Sequence, residues 1–371
     1  MPMATVPPTK FCQVCYNVAK PTQDDIARSI MTLAIGALGA GLARQVHLPM
    51  FMLTGPALAV AFAGFAGLPV MMAPMMRNII FVVIGVAIGA SMDSQAGAAM
   101  LKWPLAFGLL AIMLVVIIWS SSIVLQRYFG FDRQSAVLAS APGHLTYVLG
   151  LGLAQNADMT RVSVVQSVRL LALTFSVPLL AEAFGIRTGL ANLHPPAEMG
   201  YVPLVILLFV AILVGVALDR LRLPAALLIA GMLVSTLAQL GGFVKGAPSA
   251  DVMLAGFIAV GSLLGCRLSV LRRKELAQGL FAGLATTAIS VVAAVGFAYG
   301  AAWITEQPML HVVVAFAPGG LETMVAIGAI LGANAGFVAA CHVIRLFILT
   351  GLVPLMLGRA GRKPNNPGAV Q

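Results

Sequence analysis

With 371 residues, 60% of them hydrophobic and 9% charged, and a mean hydropathy of +1.00, the chain departs from soluble usage, where about 25% of residues are charged. A soluble enzyme, a nucleic-acid reader and a secreted disulfide scaffold each need more polar surface than this composition supplies, so those classes are excluded and a bilayer is the implied solvent. The excess of 22 Lys and Arg over 12 Asp and Glu, a net +10, then speaks first of topology.

Taken in order, residues 1–28 are mostly polar, carry Pro2, Pro7, Pro8 and Pro21, and show no short apolar core with a cleavage site. They read as a cytoplasmic tail, not a signal peptide. Cys12 and Cys15 form a lone CxxC, a weak zinc signal without a second pair, and read as reduced thiols. Cys266 and Cys341 lie in or beside apolar segments, so no disulfide framework is implied. Measured against the roughly 20 residues that cross a hydrocarbon core, apolar runs fall near 29–46, 49–68, 76–92, 103–126 and 157–180, then near 202–218, 224–243, 252–268, 277–303 and 335–357. Two stretches remain between them, 134–155 and 310–333, and residues 359–371 form a second cytoplasmic tail.

The chain repeats itself. Ala141-Pro142-Gly143-His144-Leu145 returns as Ala317-Pro318-Gly319-Gly320-Leu321, a spacing of 176 residues. The same spacing relates Gly85xxxGly89 to Gly261xxxGly265, Gly152 to Gly328, Arg169-Leu170 to Arg345-Leu346 and Pro178 to Pro354, while Leu48-Pro49 returns as Leu223-Pro224 one residue off. A register anchored on Pro, Gly and Arg marks a duplication, with repeats over 29–185 and 200–358. Each Ala-Pro-Gly stretch has a Pro-Gly pair at its middle, which removes a helical hydrogen bond and frees the backbone. Such a stretch is a re-entrant hairpin or an interrupted crossing, tolerable only where protein or a wet cavity shields it.

The cations choose between topologies. With five crossings per half and both termini cytoplasmic, Arg44, Lys102, Arg187 and Lys245 fall outside, Arg161, Arg169 and Arg345 fall in or at the edge of the membrane, and the other fifteen of the 22 fall inside. Six crossings per half would put Arg220, Arg222 and the run Arg267 to Lys274 outside, which is the worse arrangement. The expected fold is therefore all-α and integral to the inner membrane, with ten transmembrane helices in two inverted five-helix repeats, the architecture of secondary transporters.

An ionisable group at membrane depth is a functional candidate, because it costs about 3 kcal/mol even on lenient scales. Arg169 and Arg345 lie near the middle of matched segments; Gln166 and His342 stand one turn earlier on the same faces, and Asp158 and Asn334 three turns earlier. On the broken stretches the matching positions are His144 and Thr146 against Gly320 and Glu322. Two roles stand for the arginines. They cap freed carbonyls or pair with Asp158 and Glu322, or they face a central cavity where planar guanidinium forks match a carboxylate or phosphate. Half-helix N-termini after Pro142 and Pro318 would add positive potential there. The candidate solute-binding set is thus Pro142, Gly143, His144, Asp158, Arg169, Pro318, Gly319, Gly320, Glu322, Asn334, His342 and Arg345, with His144, His342 and Glu322 as candidate proton carriers. The GxxxG pairs read as helix packing and the methionines as adaptable apolar filler.

The paired Ala141-Pro142-Gly143 and Ala317-Pro318-Gly319-Gly320-Leu321-Glu322 motifs, each followed by a helix with a central Arg-Leu, resemble the bacterial AbrB-type membrane protein family. The resemblance spans about residues 29–358 and implies a twice-occurring membrane repeat. It also brings the labels "ammonia monooxygenase" and membrane regulator of gene expression. His47, His144, His194, His311 and His342 are too scattered for a copper or iron oxygenase, and neither tail is long enough for a DNA-binding domain. The expectation is a non-enzymatic membrane protein with no cofactor: a secondary transporter of a small solute, an anion being the candidate the arginines suggest, with H+ or Na+ as candidate coupling ion, the lipid bilayer and a second copy of itself as candidate partners, and no nucleic acid. A membrane sensor acting indirectly on expression is the alternative.

Overall fold

A computed structural model describes residues 23–90, 103–143, 147–148, 151–152, 155, 157–183, 197–221, 223, 225–269 and 273–358. Among them stand thirteen α-helices: α1 (Gln23–Gln45), α2 (Phe51–Phe65), α3 (Pro74–Gly89), α4 (Trp103–Phe129), α5 (Arg133–Ser140), α6 (Met159–Ala183), α7 (Tyr201–Arg220), α8 (Ala226–Leu240), α9 (Ala250–Ser269), α10 (Arg273–Thr305), α11 (Met309–Phe316), α12 (Leu321–Ile330) and α13 (Ala335–Leu357). No strand occurs among the described residues, where an isolated bridge joins Glu198 to Ala247. The tails, with Cys12 and Cys15, lie outside the described residues.

Among the described residues, six helices are long and apolar enough to cross a bilayer: α1, α4, α7 and the segments 250–267, 279–305 and 336–357 of α9, α10 and α13. The sequence leads one to expect ten. Of the other four spans, α2, α3 and α8 are apolar helices of only 15, 16 and 15 residues, about 22–24 Å at 1.5 Å per residue, while a hydrocarbon core is about 30 Å thick; the fourth is α6, with 25 residues. Large apolar side chains such as Leu38, Phe62, Trp119, Tyr201, Phe281 and Trp303 are exposed along these helices. Water would penalise so much apolar surface and lipid does not. Several hydroxyls inside the helices donate to their own helix, as Ser262 does to the Ile258 carbonyl at 2.8 Å and Ser290 to Thr286 at 2.7 Å, which removes their need for water. This is a membrane protein.

The helices pack into two compact units, and each unit draws on both halves of the chain. The first contains α1, α2, α3, α7, α8 and α9. There α2 packs on α9 and α8 on α3, α1 on α2 and α7 on α8, α1 on α9 and α7 on α3, so every pairing has its counterpart with the halves exchanged. Glycine explains the closeness. A β-carbon on Gly261 would stand 2.5 Å from the Leu53 carbonyl oxygen, and one on Gly265 2.7 Å from that of Ala57. Gly85 and Gly89 meet the carbonyls of Leu228 and Met232 in the same way, and those two residues follow Leu53 and Ala57 by 175 positions. The small-xxx-small pairs are therefore packing devices that admit main chain against main chain. The backbone repeats too: Met50 (φ 48°) and Ala225 (φ 50°), at the starts of α2 and α8, both adopt the left-handed conformation that non-glycine residues rarely take.

The second unit contains α4, α5, α6 and α10 to α13. Helices α4 and α10 pack together, α10 also carries α6, and α4 also carries α13. The short helices α5 and α11 lie against the helix before each and against α6 and α13 respectively. On α10, Gly279 and Gly283 bring the helix onto Val164 and Val168 of α6.

Candidate functional site

The interruptions follow from proline. Helices α5 and α11 are eight residues each, and each makes its last helical hydrogen bond from the alanine before proline, Ala141 N–H to Val137 O and Ala317 N–H to Val313 O. Proline's ring clashes with an α-helical residue before it. Ala141 accordingly turns to φ −64°, ψ 118° and Ala317 to φ −55°, ψ 125°. After that turn the two breaks differ: Gly143 is left-handed at φ 95°, whereas Gly319 is buried and donates its N–H to the Ala317 carbonyl at 2.8 Å. Chain direction is recovered at Gly320 (φ −69°, ψ 138°), from which α12 starts.

A helix that ends inside the protein leaves carbonyls without intrahelical donors. In the first break α6 supplies them: Gln166 Nε2 donates to Leu138 O at 2.8 Å, Arg169 Nη1 to Ala139 O at 3.3 Å and Ser140 O at 3.1 Å, and Arg169 Nη2 to Ala141 O at 2.9 Å. In the second break Arg345 of α13 donates from Nη1 to Ala317 O at 3.0 Å and from Nη2 to Gly319 O at 2.8 Å. Arg169 is 0% and Arg345 1% exposed, yet the Nε of each has no hydrogen-bond partner among the described residues. One turn before Arg345, fully buried His342 contacts the Val338 carbonyl through Nδ1 at 2.8 Å, and its Nε2 is likewise unpartnered among the described residues.

The breaks also meet each other. A β-carbon on Gly143 would stand 2.8 Å from Nη2 of Arg345 and 3.2 Å from its Cζ and Nε. Pro142, Gly143, Arg169, Pro318, Gly319, Gly320, His342 and Arg345 thus form one region of the second unit. Asp158 and Asn334 sit elsewhere, eleven residues before the arginines, about 16 Å along each helix axis. They are the N-caps of α6 and α13: Asp158 Oδ1 accepts from Arg161 N at 3.1 Å and Asn334 Oδ1 from Phe337 N at 3.0 Å. The Asp158 carboxylate pairs with Arg161 at 3.5 Å on the surface, not with Arg169. Arg161 also donates to Gly130 O at 3.2 Å and lies over the Phe131 ring. His144, Thr146 and the Glu322 side chain lie outside the described residues.

Gln166 belongs to the site as well, although the sequence places it only beside Arg169 and not in the binding set. The signal that promotes it is its three-residue spacing from Arg169, one donor row on one helix face. No group of three His, Cys, Asp or Glu residues suited to a metal occurs among the described residues. Outside the membrane-spanning segments, Asp132 caps α5 by accepting from Ser135 N at 2.9 Å. Partial burial raises its pKa, but the hydrogen bonds from Ser135 and neighbouring main chain outweigh burial and hold the carboxyl below its ordinary range.

These features define a helical membrane protein built on interrupted, duplicated segments with buried arginines at the breaks. The chain belongs to the AbrB family, described as "Transition state regulatory protein AbrB", which it matches over residues 51–360. It is 25% identical over 336 residues to the "Putative regulator AbrB" of Escherichia coli K12, covering 86% of this chain and 92% of that protein. It is 24% identical over 296 residues to the "Uncharacterized protein YhjN" of Bacillus subtilis 168, covering 73% of this chain and 75% of the relative.

Proposed function

We propose that the protein is a secondary transporter of a small anionic solute, bound in the second unit between the two Ala-Pro-Gly breaks. One observation carries this reading: two fully buried guanidinium groups, on helices related by the repeat, direct their hydrogen bonds among the described residues to main-chain carbonyls and keep Nε unpartnered. A buried cation without an anion is costly, and a bound anion relieves that cost. The exchanged helix pairings support two inverted five-helix repeats, with α2, α3 and α8 as short crossings beside the six long helices and α6 as the tenth. The cation distribution supports the inner membrane with both termini cytoplasmic.

Counterflow in proteoliposomes tests the reading, with acetate, succinate, sulfate and amino acids as probes. Saturable exchange of at least one anion, impaired in Arg345→Lys because an ammonium loses the planar fork, is the expected result. Flux absent for every probe that binds would favour a membrane sensor, a reading whose support is the name of the E. coli relative. A reporter fused at residue 190 should be found outside the cytoplasm; a cytoplasmic position overturns the inverted arrangement.

A further inference from the structure

His342 has a proton-carrying arrangement that its repeat counterpart lacks. Its Nδ1 lies 2.8 Å from the Val338 carbonyl oxygen. A carbonyl only accepts, so Nδ1 carries the hydrogen, and Nε2 of the neutral ring is a bare lone pair. That lone pair is buried and has no hydrogen-bond partner among the described residues, and it belongs to the residue one helical turn before Arg345, whose Nε is likewise unpartnered. At the equivalent position 166 the side chain is glutamine, whose amide donates to Leu138 O and cannot take up a proton at neutral pH.

A lone pair repels an anion, whereas a protonated Nε2 donates to one. Protonation by itself would add a third positive charge to two buried guanidinium groups, one of them on Arg345, a single helical turn further along the same helix. The other titratable residues of the helices packed against α13 are Arg127 and Tyr128 on α4, Arg133 on α5, His311 on α11 and Glu322 on α12; Cys341 shares α13 itself. An entering anion removes the repulsion that keeps the ring neutral and offers Nε2–H an acceptor. Resting on the transporter reading, we infer that the site binds its anion together with a proton, and that the proton is held on Nε2 of His342. A monovalent anion then crosses without net charge movement, and solute flux is driven by the proton gradient.

The test is proton uptake on binding, measured calorimetrically on the full-length protein in detergent micelles in buffers of different ionisation enthalpy, with acetate, succinate and sulfate as probes. About one proton should be taken up per anion bound, and affinity should fall about tenfold per pH unit once the ring is neutral in the free protein. His342→Gln, which copies the residue of the other repeat, should still bind anion but with no proton uptake and a flat pH profile. Wild-type binding without proton uptake would overturn the inference and leave the transporter reading standing; this measurement needs no variant. The same proton count in His342→Gln would move the proton elsewhere and overturn it too. Failure of the wild-type protein to bind any of the three probes would take down the anion site itself.

Discussion

Gly143, in the first break, lies directly against the guanidinium group of Arg345, which belongs to the second half of the chain and holds the carbonyls of the second break. The position calls for glycine twice over, since φ is 95° and a β-carbon would intrude to 2.8 Å from Nη2. The breaks are thereby one structure, and disturbing one reaches the other.

Gly143→Ala should consequently be far more damaging than Gly319→Ala. The first costs about 1–2 kcal/mol in backbone conformation and displaces Arg345; the second lacks the positive φ, and the nearest atoms its β-carbon meets belong to the unbranched Met324 side chain, not to a group that holds a break. Thermal unfolding of the purified variants measures the difference. Equal midpoints would show that Gly143 does not position the arginine.

Removal of the arginines should be graded by the carbonyls each serves. Arg169→Ala leaves three carbonyls without their donor, whereas Arg345→Ala leaves the Gly319 carbonyl so, because Ala317 O keeps the Gly319 N–H, at roughly 1–3 kcal/mol per buried group left unpaired. Both variants should accumulate poorly in the membrane, Arg169→Ala more so. Arg345→Lys, which can still donate to both carbonyls, should accumulate near normally, so a transport or binding defect in it reports on recognition. Immunoblots of isolated membranes read the first effect and anion binding the second; normal accumulation of both alanine variants would remove the capping role.

Gly261→Val should disrupt the first unit, because its added atoms must push α9 off the Leu53 carbonyl. Overpacking of this kind costs about 1–3 kcal/mol or more. A β-carbon on Gly41 of α1 would meet no atom within 4 Å, so Gly41→Ala should be neutral or stabilising by up to about 1 kcal/mol, as alanine replaces glycine in a helix. The melting temperatures should move in opposite directions or only for Gly261→Val.

Asp132→Ala should cost about 1 kcal/mol by loss of the α5 cap, and Asp132→Asn much less. The folded carboxyl has a lowered pKa, so the contribution of its charge is complete above the unfolded value of 3.8 and is lost only as pH falls below it through the folded value. Between about pH 5 and 8 the difference in stability between wild type and Asp132→Asn should stay constant. A difference that changes across that window would show that another group titrates with the cap.

The sequence by itself determined the membrane character, the duplication, the positions of the long helices and the two interruptions. Each of these is written in local chemistry: apolar length, the 176-residue register of Pro, Gly and Arg, and proline's intolerance of a helical residue before it. Arg169, Arg345 and His342 were legible as candidates because polar groups are conspicuous at that depth. What the guanidinium groups hold was decided only in the tertiary structure, since a carbonyl freed by a helix break has no sequence signature and finds its donor 30 residues away for Ala139 and 28 for Ala317, on another helix. For the same reason Asp158 and Asn334 share the arginines' helix faces in sequence, yet serve as caps at the helix starts. The contact of Gly143 with Arg345 likewise arises from packing between halves, where side-chain reach and main-chain proximity, not spacing along the chain, decide which groups meet.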